Sequence, residues 1–398
     1  MGERQMRNNP VLVDIVRSPM ARGRQGGALA ELHPADLLSQ TIAALLDRNG
    51  FDPGRVDDVI IGCVSQAGEQ AVPVGRTAWL AAGLPQHVPS TTVERRCGSS
   101  QQAIHFAAQG VAAGVYEIAI AGGIESMSRV PMGTARMGAE PHGSGFTARF
   151  PAGLVGQGIS AELIAARWKI GREQMDEYSA RSHQRAEEAR RAGGFGREIV
   201  PIHTPSGVVV QDETIRPATT VASLSALKAA FEDEQIARRF PEINWSITAG
   251  NSSQITDGAA VALVMSESVA HRLGLKARAR FVAFDVVADD PLLMLTAPIP
   301  ATKRILEKAR LGINDIDQFE VNEAFAPVPL SWLHDLRADP ERLNPRGGAI
   351  ALGHPLGASG ARLMCSLLNG LEQSGGRFGL QTMCEAGGQA NATIIERI

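Results

Sequence analysis

Short apolar runs alternate with segments of helical spacing along most of the chain. VLVDIV (11–16) has the β-rich look of a strand and ends at RSP, and ADLLSQTIAALLDRNG (35–50) carries apolar residues at helical spacing up to Gly50. VDDVIIGCVS (56–65) predicts a second buried strand, TTVERRCGSSQQAIHFAAQGVAAG a strand entering a small-residue helix, and YEIAIAGGIES a further strand. Such alternation, with continuous rather than alternating hydrophobicity, predicts parallel strands covered by helices on both faces.

The texture changes at about 126–250. MSRVPMG, PHGSGF and PAGLVGQG are irregular, and a polar helix across 172–192 and TIRPATTVASLSALKAAF follow them. This segment predicts an insertion. The α/β pattern resumes with GAAVALVMS, RFVAFDVVA and the helix ATKRILEKARLG, whose terminal glycine is expected to take the left-handed cap. The expected organisation is therefore 1–125 with 251–272 as one unit, 126–250 as the inserted one and 273–398 as the last.

The outer portions also resemble each other. VDDVIIGC is followed about 35 residues later by Cys97, a helix and the strand YEIAIAGG; DIDQFEVNEA is followed about 35 residues later by His354, the run GARLMCSLLNGLEQ and the strand FGLQTMCEAGG. Two copies of one β/α unit would place Cys97 and His354 at corresponding junctions of loop and helix, facing each other across a pseudo-twofold axis.

Composition adds limits. The 398 residues exceed one typical domain, and 44% hydrophobic with 20% charged residues suits compact globular folding. Lys plus Arg (39) nearly balances Asp plus Glu (42), so no basic field points to nucleic acid or to anionic lipid. The start, MGERQMRNNP, lacks the apolar stretch of a signal peptide, and no apolar run reaches membrane-spanning length. A cytoplasmic protein without membrane insertion is expected.

The four cysteines are too few and too scattered for a disulfide scaffold and lack the close pairing of a structural zinc site, so no metal is expected. Cys63 and Cys365 sit in apolar runs and read as packing residues. Cys97 precedes a helix, where free N–H groups and the dipole should favour a thiolate. His354 lies among Gly347, Gly348, Gly353, Gly357 and Gly360, which permit close backbone approach; near it a histidine can pair with a thiolate or move a proton. Cys384 stands at a turn with Ala386, Gly387 and Gly388, and a second thiol there could exchange a proton with a carbon acid. Asn322 and Glu323 end a buried strand, where binding loops of α/β proteins gather.

ERRCGSSQQA, VNEAFAP, NPRGGAIALGHPLGASGAR and TMCEAGGQA occur in this order, with TIRPATT and AGNSSQITDGAA between them. Together they resemble the thiolases, coenzyme A dependent acyltransferases, over essentially the whole chain. The resemblance implies an α/β fold of two βαβαβαββ domains with mixed five-stranded sheets around shared central helices, and an inserted loop domain covering coenzyme A. It implies acetyl-CoA C-acyltransferase activity, the thiolysis of 3-oxoacyl-CoA, with acetyl-CoA C-acetyltransferase activity as the alternative and, from another class, an inactive lipid or coenzyme A binding protein. A decarboxylating ketoacyl synthase is disfavoured by a thiol at Cys384. Coenzyme A is then a substrate, no cofactor is tightly bound, and a homodimer or homotetramer is expected.

The resemblance makes Cys97 the acylated nucleophile, His354 its activator, Cys384 the acid/base, and Asn322 the holder of a water in a first oxyanion hole, with the N–H groups of Cys97 and Ala386 forming a second. Coenzyme A contacts map onto Arg216, Ser223, Phe231, Ala249, Ser253, Ala324 and Phe325. Two positions depart from common patterns. Ala386 replaces the glycine of C-x-G, which would disfavour a positive φ there, and Gly156–Gln157 replaces the His-Met pair of biosynthetic acetoacetyl-CoA thiolases, implying a different acyl pocket. GQGISAELIAARW resembles degradative thiolases of bacterial lipid or steroid catabolism.

Overall fold

A computed structural model describes residues 9–398; the polar start at 1–8 lies outside them. The strands are β1 (Pro10–Arg17), β2 (Ala21–Arg22), β3 (Asp58–Gly62), β4 (Ser90–Val93), β5 (Ile118–Ser126), β6 (Ile202–Thr204), β7 (Gly207–Val209), β8 (Thr256–Ser266), β9 (Ala279–Ala288), β10 (Gln318–Val321), β11 (Phe378–Glu385) and β12 (Gln389–Arg397). The main sheet runs β10-β11-β12-β9-β1-β8-β5-β3-β4, with β2 on β8, and β6 and β7 form a separate hairpin.

Read outward from its centre, this sheet repeats itself. In the first half β3 is parallel to both β4 and β5, while β8 is antiparallel to β5 and β1. In the second half β10 is parallel to β11, and β12 is antiparallel to β11 and β9. An isolated parallel bridge from Phe319 to Leu343 stands where β4 stands in the first half, so the fifth strand is reduced to a single pairing there. The halves meet at β1 and β9 through Val11↔Arg280 and Leu12↔Ala279.

Two helices fill the middle layer: Ser99–Ala113, between β4 and β5, and Ser359–Ser374, between β10 and β11. Leu12 and Ile15 of β1, Ile60, Ala121, Val264 and Ile395 form one apolar cluster with Ala103, Ile104 and Ala107 of the first helix and Met364, Leu367 and Leu368 of the second. Small residues let the two helices approach closely: a Cβ on Gly360 would stand 2.7 Å from Cβ of Gln101, and the Ala361 N–H donates to Ser100 Oγ at 2.9 Å. Covered on both faces, all eleven residues of β8 are buried, which is why its sequence reads as a continuous apolar run.

Outer helices cover the other faces. The helix Pro34–Asn49 packs Leu37, Leu38, Ile42 and Leu45 against Val11, Val13 and Val16. It begins with Pro34 after His33, whose side chain accepts the Ala35 N–H, and ends at Gly50 with φ 61°. Pro298–Ala309 ends differently from the expectation. Arg310, not Gly312, takes the left-handed cap (φ 56°), and Gly312 is extended. The earlier turn brings the Leu311 N–H to Leu306 O and its side chain onto the core, a hydrophobic contact that outweighs the cost of a non-glycine left-handed residue.

The segment between β5 and β8 contains the helices Gln157–Trp168 and Arg172–Arg191 and the hairpin β6–β7. Buried Arg17 of β1 anchors it, pairing with Glu198 at 2.9 Å and with both oxygens of Asp212 at 2.7 and 2.9 Å. Among the described residues no helix is long and apolar enough to cross a membrane.

Candidate active site

Cys97 follows β4 in a tight turn. Arg96 has φ 47°, and Ser99 Oγ holds this left-handed residue in place by accepting the Arg95 N–H at 2.9 Å and donating to Arg96 O at 2.6 Å. The cost of such a conformation, about 1–2 kcal/mol, is met by that brace and by Gly98 N–H on Arg95 O at 3.0 Å. The thiol is only 4% exposed, and burial, then Glu385, push its pKa up to about 12. The thiolate expected from the helix terminus is therefore not the resting state. Desolvation outweighs the dipole, and deprotonation must accompany reaction.

His354 enters from the opposite half, ahead of the helix Ser359–Ser374. Its N–H donates to Thr256 Oγ1 at 3.0 Å and Gln254 O at 3.1 Å. Ser359 Oγ donates to Pro355 O (2.8 Å), so toward His354 Nδ1 (2.6 Å) it acts as acceptor, and the ring proton sits on Nδ1. Nε2 then carries the lone pair, and it has no hydrogen-bond partner among the described residues. Burial, then Arg362, lower the imidazole pKa to about 3. A folded pKa below the ordinary 6.5 means the ring stays neutral as pH falls through 6.5. Histidine NMR of the free protein should thus show no His354 titration from pH 8 to 5, and a protonation step in that window would reject the neutral state assigned to the buried ring.

Two buried carboxylates hold the loops around it. Glu125, at the end of β5, accepts N–H groups from Val64 (3.0 Å), Ser65 (2.9 Å) and Gly357 (2.8 Å), tying the first half to the loop beyond His354. Gly357 can lie there because it lacks a Cβ, which would stand 2.5 Å from Ile124 O and 2.8 Å from Cα of Cys63. Glu323 accepts Tyr178 Oη (2.8 Å), Ser182 Oγ (2.7 Å), Asn344 Nδ2 (3.0 Å) and the Ile350 N–H (3.0 Å), fixing the loop before His354. Glu125 and Ser359 were not singled out in the sequence; the signal for Glu125 was an acid ending the apolar strand IAIAGGIES, which only a set of buried donors can accommodate.

Asn322 directly follows β10, its N–H on Thr382 O at 3.1 Å. Both its side-chain Nδ2 and Oδ1 are buried without partners among the described residues. Cys384 is the penultimate residue of β11, fully sequestered, and its pKa lies well above the ordinary value because of burial, then Cys97 and Glu385. Gly98 packs against the Glu385 carboxyl, so the residues that follow the two thiols are in contact and Cys97 and Cys384 stand on neighbouring segments. The following turn puts its left-handed residues at Gly387 (φ 91°) and Gly388 (φ 76°), so Ala386 is free of the strain that its replacement of glycine threatened. Cys63, just past β3, and Cys365, whose Sγ donates to Ile15 O at 3.6 Å, are buried packing residues.

The residues mapped to coenzyme A fall into two groups and one outlier. Exposed Arg216 and Ala249 line a cleft of about 160 Å³ with His183, Leu224, Leu227 and Gln254. Arg216 donates its N–H to His183 Nδ1 (3.1 Å) and Nη2 to Gln254 Oε1 (3.3 Å). His183, unremarked in a polar helix, is thus part of this cleft. Phe231 meets Phe325 edge-on at 6.0 Å, and the Ser253 N–H donates to Ala324 O at 3.0 Å, so these four lie along one seam. Gly158 is required beside it, since a Cβ there would stand 2.5 Å from the Phe231 ring. Ser223 is exposed and its hydroxyl caps the short helix Val221–Ser225 with Thr220; it does not line the cleft.

Comparison with known proteins gives matches over nearly the whole chain. Residues 10–268 match the family model "Thiolase, N-terminal domain" and 275–397 "Thiolase, C-terminal domain". The steroid 3-ketoacyl-CoA thiolase FadA6 of Mycobacterium tuberculosis (strain ATCC 25618 / H37Rv) is 46% identical over 397 residues, 97% of this chain and 94% of that protein. A 3-ketoacyl-CoA thiolase of Serratia proteamaculans (strain 568) is 44% identical over 400 residues, 98% of this chain and 100% of the relative. The crystal structure of the Bacillus anthracis acetyl-CoA acetyltransferase superposes with a TM-score of 0.87 at 36% identity, covering 99% of this chain and 100% of that one.

Proposed function

The chain belongs to the thiolase family, and from that premise we propose that it is an acetyl-CoA C-acyltransferase, cleaving 3-oxoacyl-CoA with free coenzyme A into acetyl-CoA and a shortened acyl-CoA. The observation that carries the reading is the pairing of two buried thiols, on segments that touch where Gly98 packs against Glu385, with a buried neutral imidazole whose Nε2 is unengaged among the described residues and whose loop Glu125 ties to the first half.

In this reading Cys97 Sγ attacks the 3-oxo carbon while its proton passes to His354 Nε2. The bond between C2 and C3 then breaks, leaving the acyl group on Sγ and the electron pair on the acetyl-CoA enolate. His354 Nε2–H and a water held by Asn322 stabilise the enolate oxygen. Cys384 protonates its carbon and becomes a thiolate. Incoming coenzyme A gives its thiol proton to Cys384 and attacks the acyl carbon, whose oxygen faces the N–H groups of Cys97 and Ala386. Sγ leaves and recovers its proton from His354, which closes the cycle. Two thiols are required because one must bond covalently while the other exchanges protons without being trapped.

Arg216, with His183, would face the charged nucleotide end of coenzyme A, and Ala249, Ser253, Ala324, Phe325 and Phe231 would lead the pantetheine arm inward; Ser223 belongs at the rim. Gly156 and Gln157, at the start of the helix Gln157–Trp168, lie beside the seam formed with Phe231, and their small and flexible side chains favour acyl groups larger than acetoacetyl. The same reading includes the division into 1–125 with 251–272, 126–250 and 273–398, a cytoplasmic location and a homodimer or homotetramer.

The test is incubation with linear and ring-bearing 3-oxoacyl-CoA thioesters plus coenzyme A, followed by mass spectrometry. Shortened acyl-CoA and an acylated Cys97 peptide are expected. Turnover of acetoacetyl-CoA alone would favour the acetyltransferase alternative, and absence of both products across the panel would reject enzymatic thiolysis.

A further inference from the structure

Glu385 lies next to Cys384 in β11, but consecutive strand residues face opposite sides, and its carboxyl turns toward the loop of Cys97. The side chain is fully buried. Oε1 accepts the Asn391 N–H at 3.1 Å, and Oε2 has no partner among the described residues. Gly98 is what admits it: a Cβ on Gly98 would overlap Oε1 and stand 3.2 Å from Asn391 Oδ1. The carboxyl is therefore packed directly against the peptide behind the thiol.

The charged groups around this spot are few. Arg95 comes from the loop after β4, but its Nη1 donates to Gln389 Oε1 at 3.0 Å and its Nε has no partner among the described residues. Glu94 adds like charge from that loop, while Glu125 and Arg96 act on the thiol with opposite effects. His105, on the helix Ser99–Ala113, reaches the cluster through Asn391 and is held neutral by burial, and Cys384 lies on the other strand face.

We propose that Glu385, its carboxyl packed against Gly98 directly behind the thiol with one oxygen unpartnered among the described residues, is a positioning residue that sets the proton affinity of Cys97. This rests on Cys97 being the nucleophile. Burial raises the Glu385 carboxyl to about 8, against the opposing influence of Arg95. Below that pH a neutral carboxyl leaves the transient thiolate unopposed. Above it, two negative charges would share one desolvated place, so the Cys97 thiol becomes harder to ionise as the solution grows more basic.

The experiment is the rate of Cys97 alkylation by iodoacetamide from pH 6.5 to 9.5, read on its peptide by mass spectrometry, in the full chain, E385Q and E385D. Alkylation follows the thiolate fraction. E385Q should react like the parent at pH 6.5 and about tenfold faster at pH 9.5, the consequence of removing roughly one pKa unit of like-charge opposition; E385D should keep the parent's shoulder. A purely structural role would alter thermal stability without separating the profiles by pH, and superimposable profiles overturn the proposal. In the parent protein alone, infrared difference spectra between the two pH limits should lose a protonated carboxyl band assigned by its absence in E385Q; if E385Q fails to fold, a parent spectrum without such a band overturns the proposal equally. Because alkylation reads thiol chemistry and not turnover, a pH-separated profile with no substrate-derived acylation of Cys97 would leave the acidity effect standing and reject the proposed nucleophile.

Discussion

C97S is expected to lose thiolysis by at least about 10⁴-fold, with no substrate-derived mass on residue 97, while the melting temperature stays close to that of the parent. Removal of a covalent nucleophile has effects of this order because the residual site can only bind and polarise the substrate. Serine keeps the small buried volume but has a far weaker nucleophile, and the neutral His354 ring cannot compensate for its high proton affinity. C384S should behave differently. It should still take an acyl group from acyl-CoA onto Cys97, yet fail to exchange the α-proton of acetyl-CoA with deuterium in solvent water. Unchanged proton exchange in C384S would reject the division of labour between the thiols, and undiminished turnover in C97S would reject covalent catalysis.

R17M should cost about 3–5 kcal/mol of folding stability, the usual penalty for removing one partner of a buried ion pair. Arg17 is fully buried in β1, and its loss strands Asp212, whose Oδ1 would keep only the Met20 N–H at 2.8 Å. Glu198 suffers less because Arg346 Nη1 still reaches it at 2.7 Å. The urea midpoint should fall accordingly, and R17K should recover little because an ammonium cannot reproduce the bidentate fork with Asp212. Adding D212L to R17M should restore part of the loss by removing the stranded charge. Equal midpoints for R17M and the parent would show that the pair is not what fastens the segment between β5 and β8 to the sheet.

Much of the fold could be read directly from the order of residues. The strands β1, β3, β5, β8 and β9, the central helices and the polar helix Arg172–Arg191 all match the marked runs to within a few residues at each end; β3, β5 and β8 are legible because a strand buried on both faces reads as a near-continuous apolar run, whereas β9 is only partly buried. Helix ends were less legible. Arg310 displaced Gly312 from the left-handed cap because the position of Leu311 against the core decides where the chain turns, and no local propensity contains that contact.

The site divides along the same line. Residue identity and order determined the family, the duplicated unit and the candidates Cys97, Asn322, His354 and Cys384, because thiol, imidazole and amide chemistry is carried by the side chains themselves. Tertiary structure alone decided their protonation. A helix terminus close to Cys97 suggested an acidic thiol, but packing between two halves of the molecule removes water from it and places Glu385 behind it; the same burial and Arg362 keep His354 neutral. Desolvation by the other half of the molecule and the placement of Glu385 behind Cys97 depend on residues that are hundreds of positions apart in sequence and adjacent only after folding, which is why the sequence named the candidate groups and the fold assigned their protons.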